Sequence, residues 1–221
     1  MVSPVPRAQV TDRPNVPPLI RRANRQRRKL LARLRTRARR AERNDLLARL
    51  PRDAVCAEVG TWRGDHAQVI LRTTRPKLLY LIDPWEHREE GAYEGALYGG
   101  LAAGQSAMDA TYTSVLARFA ERIEARQVLV KRQRSDEAAR AFGDDELDWV
   151  YIDGDHRYEG VKADLENFAR VVKPGGFIAG DDYGRQGWWG DGVTMAVDEF
   201  AAHERCKSLV VMGSQFLIKL A

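Results

Sequence analysis

Residues 147–182, LDWVYIDGDHRYEGVKADLENFARVVKPGGFIAGDD, decide how the rest of the chain is read. An apolar run over 149–152 stops at Asp153-Gly154-Asp155-His156. Val161, Leu165, Phe168 and Val172 then recur at helical spacing, which predicts an amphipathic helix ending at Lys173-Pro174-Gly175-Gly176. A second apolar run, 177–179, stops at Gly180-Asp181-Asp182. Strand, crossover helix and strand make a βαβ unit, whose two strands lie parallel and side by side. Neighbouring strands are about 4.8 Å apart, so acids at both carboxyl ends converge on one small volume. Open α/β sheets bind their ligands at that end of the strands. Asp153, His156, Asp181 and Asp182 are therefore the candidate chemistry.

Upstream, residues 54–59 predict the first strand of the domain. Glu58-Val59-Gly60-Thr61-Trp62-Arg63-Gly64 follows, then a helical stretch over 67–71. Glycines after a strand let the backbone turn sharply and approach a ligand closely. A helix opening there presents free N–H groups to an anion. Asp83 ends the next apolar run, 78–82, at the spacing where doubly wound folds place a ribose-binding carboxylate. Taken alone, Asp83 is equally a strand-end acid capping a turn; beside the glycine loop, the ribose role is the expectation.

Residues 84–113 are rich in glycine and carry Trp85, Tyr93 and Tyr98, the composition of a lid or an insertion. A helix is expected over 112–123 and a strand over 127–131. Ser135 reads as the N-cap of a helix over 136–142, with contact to a cofactor's base as the sharper alternative. Downstream come a loop with Trp188 and Trp189, a helix marked by Val193, Val197 and Phe200, and two apolar segments, 208–212 and 216–220. Gly213-Ser214-Gln215 between them is a hairpin signal, so an antiparallel pair closes the sheet.

Three segments are expected. Residues 1–19 hold five prolines and no hydrophobic period, a disordered leader. Residues 20–50 form a basic helical arm with an apolar stripe at Leu30, Leu31, Leu34, Ala38 and Ala41, a surface suited to self-association as a homo-oligomer. Residues 51–221 are the domain. The net charge of +5 conceals an asymmetry: residues 1–43 carry 14 Lys/Arg against Asp12 and Glu42, whereas 44–221 hold 22 Lys/Arg and 29 Asp/Glu. A nucleic-acid enzyme carries its basic patch around the site, so an acidic body argues against nucleic acid as partner. No apolar stretch is long enough to span a bilayer, and the N-terminus lacks a secretory apolar region. Cys56 and Cys206 fit no metal or redox spacing and read as reduced thiols of a cytoplasmic protein. The Arg-rich, acid-poor leader also has the composition of an organelle transit peptide.

These residues resemble class I S-adenosylmethionine-dependent methyltransferases. Within that class they are most similar to the small metal-dependent O-methyltransferases of the macrocin and mycinamicin sugar type, and more distantly to the catechol type. The resemblance covers roughly 51–221 and rests on EVGTWRG, LIDPW, RSDEA, YIDGDHRYEGVKADL and KPGGFIAGDDY. It implies a Rossmann-like α/β fold: seven strands, mostly parallel, the last antiparallel, with helices on both faces. It implies S-adenosylmethionine bound by Glu58, Gly60, Thr61, Trp62, Gly64, Asp83, Ser135 and Asp153. It further implies a divalent cation, Mg²⁺ first, on Asp153, Asp181 and Asp182, with His156 as base toward a hydroxyl of a small-molecule acceptor, one of a vicinal pair. Arg63 and His66 depart from the pattern, standing where related enzymes often carry small residues.

Three neighbouring carboxylates raise one another's pKa unless a cation sits among them. All-oxygen ligation suits Mg²⁺, Ca²⁺ or Mn²⁺, and no Cys/His set for structural zinc is present. The plainer alternative has Asp181 and Asp182 capping the next segment and Asp153 bonding backbone amides. Asp155 reads either as a partner of His156 or as a solvated loop acid. Two other functions share parts of this pattern. A nucleotide-binding dehydrogenase has the loop and the ribose acid, but this loop lacks its GxG start. A non-catalytic scaffold would keep the fold and use the Arg-rich arm for binding.

Overall fold

The computed structural model describes residues 43–221 and Arg27. The expected leader and all of the expected arm before residue 43, apart from the helical Arg27, lie outside the described residues. After a helical turn at 43–47, the chain runs β1 (Val55–Val59), α1 (Asp65–Thr74), β2 (Leu78–Ile82), α2 (Gln105–Arg118), α3 (Ala120–Glu124) and β3 (Val128–Lys131). It continues with α4 (Ser135–Arg140), β4 (Leu147–Ile152), α5 (Tyr158–Val171), β5 (Val172–Gly180), α6 (Gly192–Ala201), β6 (Cys206–Met212) and β7 (Gln215–Leu220). The sheet order is β3-β2-β1-β4-β5-β7-β6. Neighbours from β3 to β5 are parallel, and β7 runs antiparallel to both β5 and β6. This is the seven-stranded, mostly parallel Rossmann-like sheet that the resemblance implies.

Period-two alternation divides the central strands between two cores. Ala57, Val59, Val150, Ile152 and Ile178 bury against Val161, Leu165 and Phe168 of α5 and Val193 and Val197 of α6. Cys56, Trp149, Tyr151 and Ala179 point the other way, toward Ala67 and Ile70 of α1 and Met108 and Val115 of α2. Leu46, Leu47 and Leu50 belong to that second core. Residues 43–50, grouped with the arm in the sequence reading, thus pack into the domain through three buried leucines.

Local differences from the sequence reading have identifiable causes. β5 begins at Val172, directly after α5, and carries Lys173-Pro174-Gly175-Gly176 within it rather than ahead of it. Between the pairs Leu147–Val172 and Trp149–Phe177, β5 advances five residues while β4 advances two. The surplus forms a bulge in which Gly175 takes a left-handed φ of 73°. The expected helix over 112–123 is two helices: α2 starts at Gln105, and the break falls at Phe119. Ser135 is not the N-cap of α4 but its first residue; Arg134 holds the cap position, with no side-chain capping bond. Among the described residues no helix is long and apolar enough to cross a membrane.

Candidate active site

The carboxyl ends of β1, β2 and β4 are held together by their own backbones. Gly60 N–H donates to the Ile82 carbonyl at 2.9 Å, and Asp153 N–H donates to the Val59 carbonyl at 2.8 Å. Gly60 has φ 85°, and a Cβ there would lie 2.1 Å from the Asp153 carbonyl oxygen. Glycine is therefore required by the neighbouring strand, and the open side of the turn faces a cavity. Gly64, at φ 74°, is also sterically fixed: a Cβ would meet the Phe119 ring at 2.5 Å.

Asp83 secures the same turn. Its Oδ2 accepts the Trp62 N–H at 2.8 Å and its Oδ1 accepts the Trp85 N–H at 2.7 Å. Burial raises its carboxyl to about 6, against those two bonds, with the Glu58 charge adding to the rise. The capping role is thus realised. Each oxygen keeps a second lone pair, and Asp83 lines the cavity, so it can still accept from a ligand.

Among the described residues, the compact set of possible ligand atoms after β4 and β5 is Asp153, His156 and Asp182. His156 Nε2 lies 3.3 Å from Asp153 Oδ1 and 3.1 Å from Asp182 Oδ2. Ligand atoms of Asp153, His156 and Asp182 all fall within 4.8 Å of one another. Asp182 leaves β5 in the left-handed region, φ 63°, a conformation Asp tolerates better than most residues. Burial alone would lower the His156 pKa, but hydrogen bonds and charges from Asp153 and Asp182 raise it to about 10. Two carboxylates and one imidazole in this spacing fit a divalent cation.

Asp181, expected beside them as a ligand, is buried and engaged elsewhere. Its Oδ1 accepts from the Ser214 hydroxyl at 2.7 Å, from the Gln215 amide and from the Asp182 N–H at 2.8 Å. Its Oδ2 accepts from Arg43 through Nε at 3.0 Å and through Nη2, and that same Nη2 reaches Asp153 Oδ2 at 3.4 Å. Burial works against the Arg43 charge, yet Tyr151, Asp153 and Asp181 together raise its pKa. Burial likewise works against Asp181, and Arg43 and Ser214 hold its carboxyl below the ordinary value.

These groups surround a cavity of about 480 Å³. Of the sequence-derived site residues, Gly60, Trp62, Asp83, Ser135, Asp153, His156 and Asp182 line it; Glu58, Thr61, Gly64 and Asp181 do not. Glu58 is buried against His66, whose Nδ1 is 3.1 Å from Oε1. Burial pushes the Glu58 carboxyl up, against the hydrogen bond and charge of His66. Asp155 is no solvated acid: it accepts from the Tyr93 hydroxyl at 2.9 Å and from Arg157 Nη2 at 2.9 Å, tying the 84–104 segment to the β4 loop. Trp189 packs against His156 in a tilted arrangement, ring centroids 4.6 Å apart and planes at 36°, and Trp188, Tyr93 and Tyr98 continue that wall. Trp189 Nε1 and Tyr98 Oη are buried and have no hydrogen-bond partner among the described residues.

Several lining residues escaped the sequence reading, Arg43 and Asp164 among them. Arg43 stood in a run of arginines with nothing to distinguish it. Asp164 did carry a signal, because an acid between Val161 and Leu165 sits on the buried side of α5. Burial raises its carboxyl to about 7, while the Ser135 hydroxyl lowers it.

The family model for a methyltransferase domain matches residues 57–183. No curated protein matches the sequence. Solved structures of similar fold include the O-methyltransferase NovP, 19% identical with a TM-score of 0.60, covering 81% of this chain and 80% of that one. SMU.1697c from Streptococcus mutans, solved in complex with SAH, is 10% identical with a TM-score of 0.53, covering 80% and 95%. A candidate caffeoyl-CoA O-methyltransferase from Staphylococcus aureus is 12% identical with a TM-score of 0.54, covering 76% and 77%. At these identities the likeness is one of fold.

Proposed function

Because the chain belongs to this methyltransferase-domain family, we propose that it transfers a methyl group from S-adenosylmethionine to a hydroxyl of a small-molecule acceptor. A divalent cation, Mg²⁺ in the first instance, would be held by Asp153 and Asp182 beside His156. The observation that carries this reading is one cavity lined by two adjoining sets of residues. Gly60, Trp62, Asp83 and Ser135 line it together with the cluster Asp153, His156 and Asp182 and the rings of Trp188 and Trp189.

Each residue has a stated task. Asp83 accepts hydrogen bonds from ribose hydroxyls through its remaining lone pairs. Gly60 and Trp62 bring the backbone close to the methionine portion, and Ser135 lies at the adenine end. When bound, S-adenosylmethionine supplies the methyl group, and a divalent cation supplies Lewis acidity that lowers the pKa of a nearby hydroxyl. His156 takes the acceptor's proton at Nε2, in the neutral form that a nearby cation favours. Trp189 packs against that imidazole and limits its movement, and the aromatic wall excludes water from the reacting volume. Trp189 Nε1 and Tyr98 Oη, without a hydrogen-bond partner among the described residues, stand ready for polar atoms of the acceptor.

The family match sets aside the dehydrogenase alternative. The test is methyl transfer from labelled S-adenosylmethionine to a panel of small diols, with Mg²⁺ and with chelator. Label in a diol only when Mg²⁺ is present is the expected result. Tight binding of S-adenosylmethionine with no transfer to any acceptor would favour the scaffold reading instead.

A further inference from the structure

Arg43 stands where a cation shared by Asp153 and Asp181 would stand. Its guanidinium holds Asp181 Oδ2 through Nε and Nη2 and reaches Asp153 Oδ2 through that same Nη2. The Arg43 side chain also lines the cavity. Its backbone is anchored independently of this contact, because Leu46, Leu47 and Leu50 are buried in the core just beyond it. The long arginine stem can therefore leave the acids without unpacking the helical turn at 43–47.

We propose that Arg43 is a tethered competitor for the divalent cation: with the ion absent it occupies the Asp153–Asp181 edge, and ion binding displaces it. This rests on the metal reading above and adds the regulation of that site. A +1 guanidinium and a +2 ion within a few ångströms of the same carboxylates repel in a partly buried, low-dielectric setting. Asp181 Oδ2 is among the atoms that the guanidinium holds, so loss of that contact is part of the exchange. Its other oxygen remains tied to Ser214, Gln215 and the Asp182 N–H, so the carboxylate stays in place for the ion. By linkage, whatever holds Arg43 in place weakens ion binding by the same factor that the ion weakens the Arg43 contact.

The test measures Mn²⁺ binding to the full-length chain by calorimetry and by loss of the free-ion spin-resonance signal. Wild type is compared with Arg43→Gln, Arg43→Lys and Asp182→Asn. Arg43→Gln is expected to bind Mn²⁺ about 5–150-fold more tightly than wild type, the usual range of coupling between two sites. Arg43→Lys should fall between them, since it keeps the charge and loses the fork. In wild type, the Arg43 Nε–H resonance should move to the position of a free guanidinium on Mg²⁺ addition. Thermal melting with S-adenosylhomocysteine shows whether each variant is folded; if Arg43→Gln is not, Arg43→Lys and the wild-type resonance decide. Equal or weaker Mn²⁺ binding by folded Arg43→Gln, with Asp182→Asn still abolishing it, overturns the competitor and leaves the metal site standing. So does an Arg43 resonance unmoved at saturating Mg²⁺. Absence of Mn²⁺ binding in every variant, with the S-adenosylhomocysteine site intact, overturns the metal reading and this proposal with it.

Discussion

Gly60 and Asp153 are in backbone contact: a Cβ on Gly60 would lie 2.1 Å from the Asp153 carbonyl oxygen. The turn that faces the proposed cofactor and the strand end that carries the proposed metal ligand therefore cannot move apart independently. Gly60→Ala would impose a left-handed alanine, costing about 1–2 kcal/mol, and would push β4 away as well. A lowered melting temperature and at least tenfold weaker S-adenosylhomocysteine binding are expected. Calorimetry showing wild-type affinity would mean that the turn relaxes without disturbing the site.

Cofactor affinity should depend on pH through Asp83. Burial places its folded-state carboxyl at about 6, and only the ionised form accepts on both oxygens. Affinity should therefore be full above pH 7 and decline as pH falls through about 6. Asp83→Ala should cost about 1.5–3 kcal/mol at neutral pH, the range for a hydrogen bond to a charged group, and should flatten that limb. An identical pH profile in wild type and variant would remove Asp83 from the ribose site.

His156→Ala should lower turnover by roughly 10²–10⁴-fold, the usual contribution of a positioned base. Cofactor affinity should stay near wild type. The Mn²⁺ affinity of this variant separates two roles: unchanged binding fits a base, whereas a large loss makes His156 a ligand. Near-normal turnover with metal and cofactor bound would transfer proton removal to another group.

Asp164 makes a prediction about stability. Its carboxyl is raised from 3.8 to about 7, burial being the largest cause. The folded state then binds the proton more tightly than the unfolded chain. That contribution is fully present below pH 4 and is lost as pH rises through about 7. Asp164→Asn should abolish this decline and should be the more stable protein at pH 8, by no more than about 4 kcal/mol. Denaturant midpoints measured from pH 4 to 8 without ligand check it. A variant less stable than wild type at pH 8 would show the ionised carboxylate to be well compensated.

Turnover should cease in excess chelator and return with Mg²⁺. Asp182→Asn should remove that requirement together with most of the activity, leaving S-adenosylhomocysteine binding nearly intact. Full activity under chelation, on a confirmed acceptor, would reduce the acids to a structural role.

The sheet was legible in the sequence because its determinants are local. Apolar runs ending in glycine and acid, a helical period between Val161 and Val172, and the hairpin turn at Gly213 each act within a few residues. By the same logic Asp83, Asp153, His156 and Asp182 could be placed at strand ends before any coordinates. What the tertiary structure alone decided is where side chains turn once the strands meet. Asp181 and Asp182 are adjacent in sequence, yet one points to Ser214 and Gln215 of a distant hairpin and the other to His156. Neither Arg43, 138 residues from Asp181, nor the Trp189 ring over His156 leaves a periodic trace in the chain. Charge pairing and ring contacts act through space, and a sequence records spacing along the backbone, not which side chain the fold brings alongside.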